Sequence, residues 1–193
     1  MSSLLLTAPA VEPLTLAEAK AFLRVETPDD DNVITALIAG ARIHVEAQTR
    51  RALITQSWRV VLDAWPQDGR LTIVPAPLQA LTAARVYDFE GLAHDVDTQA
   101  FVLDKGASVL AFAPNCGSWA VPQPGRIAAG IELDVTAGYG DAAAAVPEPL
   151  RQAIRLLVAH WYENRGLVTT GVNYSALPQT VAALIASYRM LSL

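Results

Sequence analysis

Apolar residues recur along this chain in two rhythms, one of three to four residues and one of two. Leu16, Ala19, Phe22 and Leu23 fall three and four apart, the spacing of one helix face. Thr15 and Glu18 stand in capping-box register, where a hydroxyl and a carboxylate each satisfy a free amide. The first helix is therefore predicted to open at Thr15 and to end near Arg24. Past Pro28, the acids Asp29, Asp30 and Asp31 stand where a second helix begins, and their charge favours its amino end. Ile34, Leu37, Ile38, Ala41 and Val45 share one face, and this helix is predicted to run to about Thr49.

From Gln56 to Thr136 the rhythm shortens. Trp58, Val60 and Leu62 alternate with Arg59, Val61 and Asp63, a strand pattern. Asp68-Gly69 signals a turn before the run from Leu71 to Val74, which Pro75 and Pro77 break. Thr82 to Tyr87 reads as a strand and Asp88-Phe89-Glu90-Gly91 as a turn; Phe101-Val102-Leu103 and Ile131 to Ala137 complete the set. Residues 106–130 read as a long loop with room for one short strand. Helical spacing returns after Pro147 with Leu150, Ile154, Leu157, Val158 and Trp161, to about Asn164, and Gly166 is the expected stop. Pro178 opens a last helix with Val181, Leu184, Ile185 and Tyr188 on one face. The expected fold class is α+β: a helical bundle from residues 1–55 and 138–193 with an inserted antiparallel β region at residues 56–137.

Composition adds a pressure toward association. Of 193 residues, 52% are hydrophobic and only 17% charged, with 19 acids, 14 bases and a net charge of −5. A soluble domain ordinarily carries roughly 25% charged residues. So few charges leave much of the surface apolar, and large apolar patches on soluble proteins mark contact surfaces; the alternative is that alanine alone inflates the apolar count without making the surface sticky. The negative balance disfavours a dedicated nucleic-acid binder, which neutralises phosphate with clustered bases. Arg50-Arg51 is the only basic pair. Arg151 and Arg155, one turn apart, read together with Arg165 as a solvated helix face. Leu4-Leu5-Leu6 is too short for a signal peptide and has no basic residue before it, and no run reaches the ~20 apolar residues of a membrane span. Folding in a reducing cytoplasm, without a membrane partner, is expected.

The search for chemistry returns little. His160 and Glu163 have metal-binding spacing on a helix, but a di-metal bundle needs that pair twice with two further carboxylates. His44 and Glu46, two apart, point to different faces. A calcium loop starting at Asp29 would need Gly and Glu where Ile34 and Gly40 stand. Ser108 has Gly106 before it but Leu110 after it, so it is no nucleophile elbow. Cys116 is the sole cysteine, which excludes an internal disulfide and a cysteine-based zinc site. Nothing in the spacing of His94 or His160 supports Cys116 as a nucleophile. Gly138-Tyr139-Gly140 lacks the Lys-Ser/Thr of a phosphate loop and is expected to end a strand. Asn173-Tyr174-Ser175 matches the glycosylation triplet but has no export signal with it. No catalytic residue, metal or cofactor is expected.

Three stretches carry a resemblance. The first runs from Leu14 to Val25, through Asp29 to Asp31, and from Ala41 to Leu53. The second joins Trp65-Pro66, Pro75-Ala76-Pro77-Leu78 and Val86-Tyr87-Asp88. The third runs from Ala137-Gly138-Tyr139-Gly140 through Val146-Pro147 to Leu150-Arg151-Gln152-Ala153-Ile154 and Trp161-Tyr162-Glu163-Asn164-Arg165. In order and spacing the chain resembles the head–tail connector, or adaptor, family of long-tailed bacteriophages and of gene transfer agents. Residues 106–130 depart from that pattern.

The resemblance implies a structural subunit without catalysis. It implies a helical core, with the β region as an addition found in longer members. It further implies rings, commonly of twelve copies, between the portal and the tail stopper, with DNA passing through the central channel and no sequence-specific binding. The implied place is the head–tail junction of a virion or gene transfer agent particle, after assembly in the bacterial cytoplasm. The implied partners are copies of the chain itself, the portal protein, and stopper and tail proteins. A ring subunit must bury two different faces against its neighbours, because head-to-tail contacts with rotation close a ring. The segment from Ser187 to Leu193 is apolar, and free termini are seldom ordered unless docked. Tyr188, Arg189, Met190, Leu191 and Leu193 are therefore expected to leave the subunit and dock on the portal. A stopper or tail terminator is the alternative; those are built mainly from strands, and the long helical patterns argue against them. A small enzyme is a third reading, and it would need convergent polar residues in a pocket.

Overall fold

The helical stripes fold as helices in the computed structural model of the chain, which describes residues 1–113, 121–164 and 179–190. Helix α1 spans Leu16–Leu23 and α2 spans Asp31–Thr49. The capping box at the start of α1 is present. Glu18 N–H donates to Thr15 Oγ1 at 3.2 Å, and Thr15 N–H donates to Glu18 Oε2 at 2.9 Å. Arg24, at φ 58°, stops the helix. Phe22 is 42% exposed despite its place in the stripe; Ala19 is the residue that α1 buries. Helix α2 buries Ile34, Ile38, Ala41 and Val45.

Helix α3 spans Glu148–Glu163 and buries Leu150, Ala153, Ile154, Leu157 and Val158. Helix α4 spans Gln179–Ala186 and buries Val181 and Ile185. Helix α3 packs against α1, α2 and α4. Each fully buried Leu or Ile contributes about 1.5–3 kcal/mol relative to exposure. These helices form one compact unit, made of Ala10–Ile54 and the chain from Gly140 onward.

Met1–Pro9 and Thr55–Tyr139 form the other unit, which holds the strands. They are β1 (Ser2–Thr7), β2 (Gln56–Leu62), β3 (Arg70–Thr72), β4 (Leu78–Tyr87), β5 (Ala93–Val96), β6 (Phe101–Asp104), β7 (Val109–Phe112) and β8 (Ile131–Ala137). One antiparallel sheet has the order β1-β2-β8-β4-β5, and a second has the order β3-β7-β6. Val60 and Leu62 of β2, Leu133 and Val135 of β8 and Val86 of β4 share one core with Leu110 of β7 and Ile73. Alternation is strict on β8, where Ile131, Leu133, Val135 and Ala137 are buried. Gly138, at φ 139°, follows the strand and donates its N–H to Pro77 O at 2.9 Å, the strand-ending role expected of it.

The molecule is thus α+β, four helices with antiparallel sheets among the described residues. Strands β1 and β5 carry no period of two in the sequence, and neither was expected from it. Strand β7 is the short strand for which residues 106–130 left room. Cys116, Arg165, Gly166, the Asn173 triplet and Pro178 lie outside the described residues.

Candidate assembly surfaces

In the helical unit, charged side chains serve as ties between elements. Arg151 on α3 donates to Glu18 Oε1 on α1 at 2.6 Å, to Pro13 O at 3.0 Å and to Glu148 Oε2 at 2.9 Å. Arg155, one turn later, also pairs with Glu148. Their side chains are only 15% and 17% exposed, so the solvated face expected of these arginines is corrected: carboxylates on two helices hold them. The Thr15 N–H, opposed by partial burial and helped by the Thr15 hydroxyl and Arg151, holds the Glu18 carboxyl below its ordinary value.

The aspartates before α2 tie elements as well. Asp30 at the N-cap makes no side-chain capping bond; its carboxylate accepts from the Tyr162 hydroxyl of α3 at 2.5 Å. Asp31 pairs with Lys20 of α1 at 2.5 Å. Arg42, nearly buried, bridges Glu12 at 2.8 Å and Glu46 at 2.7 Å. Between the entry strap and the first two helices, Val11, Glu12, Leu14, Leu16, Thr35 and Ile38 line a shallow groove of about 180 Å3.

The expected portal-docking residues are placed at the carboxyl end of α2. Met190 N–H donates to Thr49 O at 3.0 Å, and Arg189 Nε and a terminal nitrogen donate to Gln48 O at 3.2 Å and Gln48 Oε1 at 2.7 Å. Arg51 Nε donates to Tyr188 O at 2.6 Å. The bonds to Thr49 O and Gln48 O satisfy carbonyls that the end of α2 otherwise leaves open. Leu191 and Leu193 lie outside the described residues.

Two features distinguish the sheet unit. The face of the five-stranded sheet turned from its core carries a cross-strand ion lattice. Arg59 grips Asp134 with both arms at 2.7 and 3.0 Å, and Arg85 reaches the same carboxylate at 2.9 Å. Glu132 lies 3.3 Å from Arg59. The bond from Arg59, against partial burial and with Arg85 assisting, holds Asp134 below its ordinary value. Ser108 is structural here. Its hydroxyl accepts from Leu78 N–H at 3.1 Å and its carbonyl from Ile73 N–H at 2.9 Å.

The other feature is exposed apolar surface on an outer strand and at the strand ends of that sheet. Strand β1 is an outer strand, with Leu4, Leu5 and Leu6 at 55%, 48% and 47% exposure. Leu4 stands opposite Arg59 and Leu5 opposite Trp58, so the exposed leucines occupy both faces of the edge. The turn between β4 and β5, with the loop before β8 bonded to it, forms a tip where Phe89, Leu92 and Ile127 are 83%, 61% and 98% exposed. Asp88 Oδ1 accepts from the Glu90 and Leu92 amides, and Asp88 Oδ2 bonds to His94 at 2.7 Å. Arg126 lies 4.3 Å from the Tyr87 ring centre and donates to Gly91 O at 3.2 Å. Gly125 donates to Tyr87 O at 2.8 Å; a Cβ there would lie 2.2 Å from the Phe89 nitrogen, so only glycine permits the approach. The tip is a braced structure that holds greasy side chains outward.

Among the described residues, no three His, Cys, Asp or Glu side chains group as metal ligands, and no helix is long and apolar enough to cross a membrane. His160 Nδ1 lies 3.4 Å from the Asn164 amide, and Glu163 is exposed.

Residues 126–189 match the family model of the phage gp6-like head–tail connector protein. Three solved structures contain chains similar over 100% of this chain and 97% of their own length. The first is the neck of an empty gene transfer agent particle computed with C6 symmetry (29% identity, TM-score 0.81). The second is the neck of the native particle computed with C12 symmetry (28%, 0.78), and the third the native particle's virion (28%, 0.73). No curated protein matches the chain. The family model carries the likeness to head–tail connectors over residues 126–189, and the likeness to chains of the gene transfer agent particle spans the whole chain.

Proposed function

We propose that this chain, whose residues 126–189 match the head–tail connectors, is a structural neck subunit of a phage or gene transfer agent particle. Its copies form a ring, twelve in number, between the portal and the tail stopper, and DNA crosses the central channel without sequence-specific contact. The full-length likeness to neck chains at a TM-score of 0.81 is the observation that carries this reading. The chain works by surfaces and not by turnover. Its helical unit is tied internally by Arg42, Arg151 and Lys20, which gives a stiff body. Its sheet unit carries the exposed leucines and the braced tip. A net charge of −5 suits a channel wall that DNA slides past. The segment from Tyr188 to Leu193 is the contact with the portal.

The test is removal of the chain from the producing strain, followed by electron microscopy of purified particles. Filled heads without joined tails are expected, with a ring at the vertex restored by the full chain. Joined, transfer-competent particles lacking the chain would overturn the proposal. Restoration by a chain cut before Ser187, with portal co-purification undiminished, would remove the portal role of the last segment alone.

A further inference from the structure

Strand β1 lacks the charges and the shortness that keep most outer strands from sticking, and only a shift of register between Leu5 and Thr7 interrupts it. Outer strands are ordinarily short, charged or covered, because a row of unpaired backbone groups is a template for another chain. Strand β5 has four residues, with His94 and Asp95 in its middle, and β3 has three and begins with Arg70. Strand β1 has six residues and no charge, and its three leucines are about half exposed. At the ends of β4 and β5, three and four places from β1 in the strand order, stands the Phe89–Leu92–Ile127 tip. Two unlike apolar patches, one on an outer strand and one at the strand ends of the same sheet, meet the requirement of a head-to-tail contact. There, patch A of one copy meets patch B of the next, whereas a two-fold contact would need one self-complementary patch.

We propose that the β1 edge, with Leu4, Leu5 and Leu6, receives the Phe89–Leu92–Ile127 tip of the next copy of this chain. This inference rests on the ring reading above and names the contact that closes the ring. The occupant is a second copy because one sheet supplies both halves, in unlike and separated form. The bracing of the tip by Asp88, Arg126 and Gly125 has the same sense. A protruding apolar knob binds well only if its ordering cost is met before contact.

The test uses particles assembled in the producing strain with Leu5→Cys and Phe89→Cys together in a Cys116→Ser background. Oxidation should give a ladder of covalent oligomers on a non-reducing gel, and each single-cysteine chain should stay monomeric. In parallel, Phe89→Asp with Ile127→Asp, and Leu4→Lys with Leu6→Lys, should each cut incorporation into particles at least tenfold. The melting temperature of the purified variants should stay at the parent value, which separates lost contact from lost folding. If rings of the chain are seen at the neck but no ladder forms and the paired variants incorporate normally, the contact is refuted and the ring reading stands. If the chain is absent from the neck of intact particles, both fall.

Discussion

The two units solve different problems with similar cores. Helices α1 to α3 are joined by ion pairs between elements, such as Glu18–Arg151 and Lys20–Asp31, while the large exposed apolar residues of their unit are Val11, Phe22, Val33 and Ile43 at 40–57%. The sheet unit keeps its ion lattice on one face. On its outer strand β1 and at the tip it leaves Leu4, Leu5, Leu6, Phe89, Leu92 and Ile127 exposed, two of them above 80%. Leucine in a core and leucine on an edge have the same chemistry, yet only the first stabilises the lone chain. The contrast separates residues that hold the subunit from residues that are spare until a partner arrives.

Truncation of the cores should give the largest effect. Leu157→Ala in α3 and Leu133→Ala in β8 each remove a side chain with 0% exposure, and each should cost about 2–5 kcal/mol in urea unfolding. A loss confined to one of them would mean that the other unit adds little to the measured stability.

Breaking a tie should come next. Arg151→Ala removes the guanidinium from Glu18 Oε1 and from the Pro13 carbonyl, while Glu18 keeps its bonds to Thr15, and should cost about 1–2 kcal/mol, discounted because Glu18 is 40% exposed. The Glu18 carboxylate has a pH signature, set first by the Thr15 amide and only in part by Arg151. Folding holds Glu18 below its ordinary value near 4.5, so in acid the unfolded chain binds more protons than the folded one. This contribution is complete above the ordinary value and fades as pH falls through the lower folded value. Glu18→Gln should flatten the acid limb of the stability profile, and an unchanged limb would count against the Glu18 cap and its bond to Arg151 together.

The smallest effect should come from the exposed tip. Phe89→Ser should leave chain stability within about 0.5 kcal/mol of the parent in the same urea experiment. A loss as large as that of a core truncation would place Phe89 in the holding class and erase the contrast.

What could be read from the residues was local. Thr15 and Glu18 are three apart, so their bond is a matter of one helical turn, and the stripes of α2 and α3 record a periodic burial. Arg151 was legible as a helix residue but not as a tie, because its carboxylate partner lies 133 positions away. Strand β1 was hidden for another reason. A strand exposed on both faces needs no alternation, and Leu4-Leu5-Leu6 therefore shows none. Strand β5 is similar, with only Val96 buried. The surfaces proposed for assembly fell largely in the stretches where pattern is weakest. Pattern reports burial within one chain, and these residues await burial against another.

The stitch at the end of α2 sets a condition on whatever grasps the last residues. Thr49 and Gln48 offer their carbonyls to Met190 and Arg189. A neighbour that peels the tail away bares both oxygens at one stroke. It must bring amide or guanidinium donors of its own to that spot, or recapture by the helix will undo the grip.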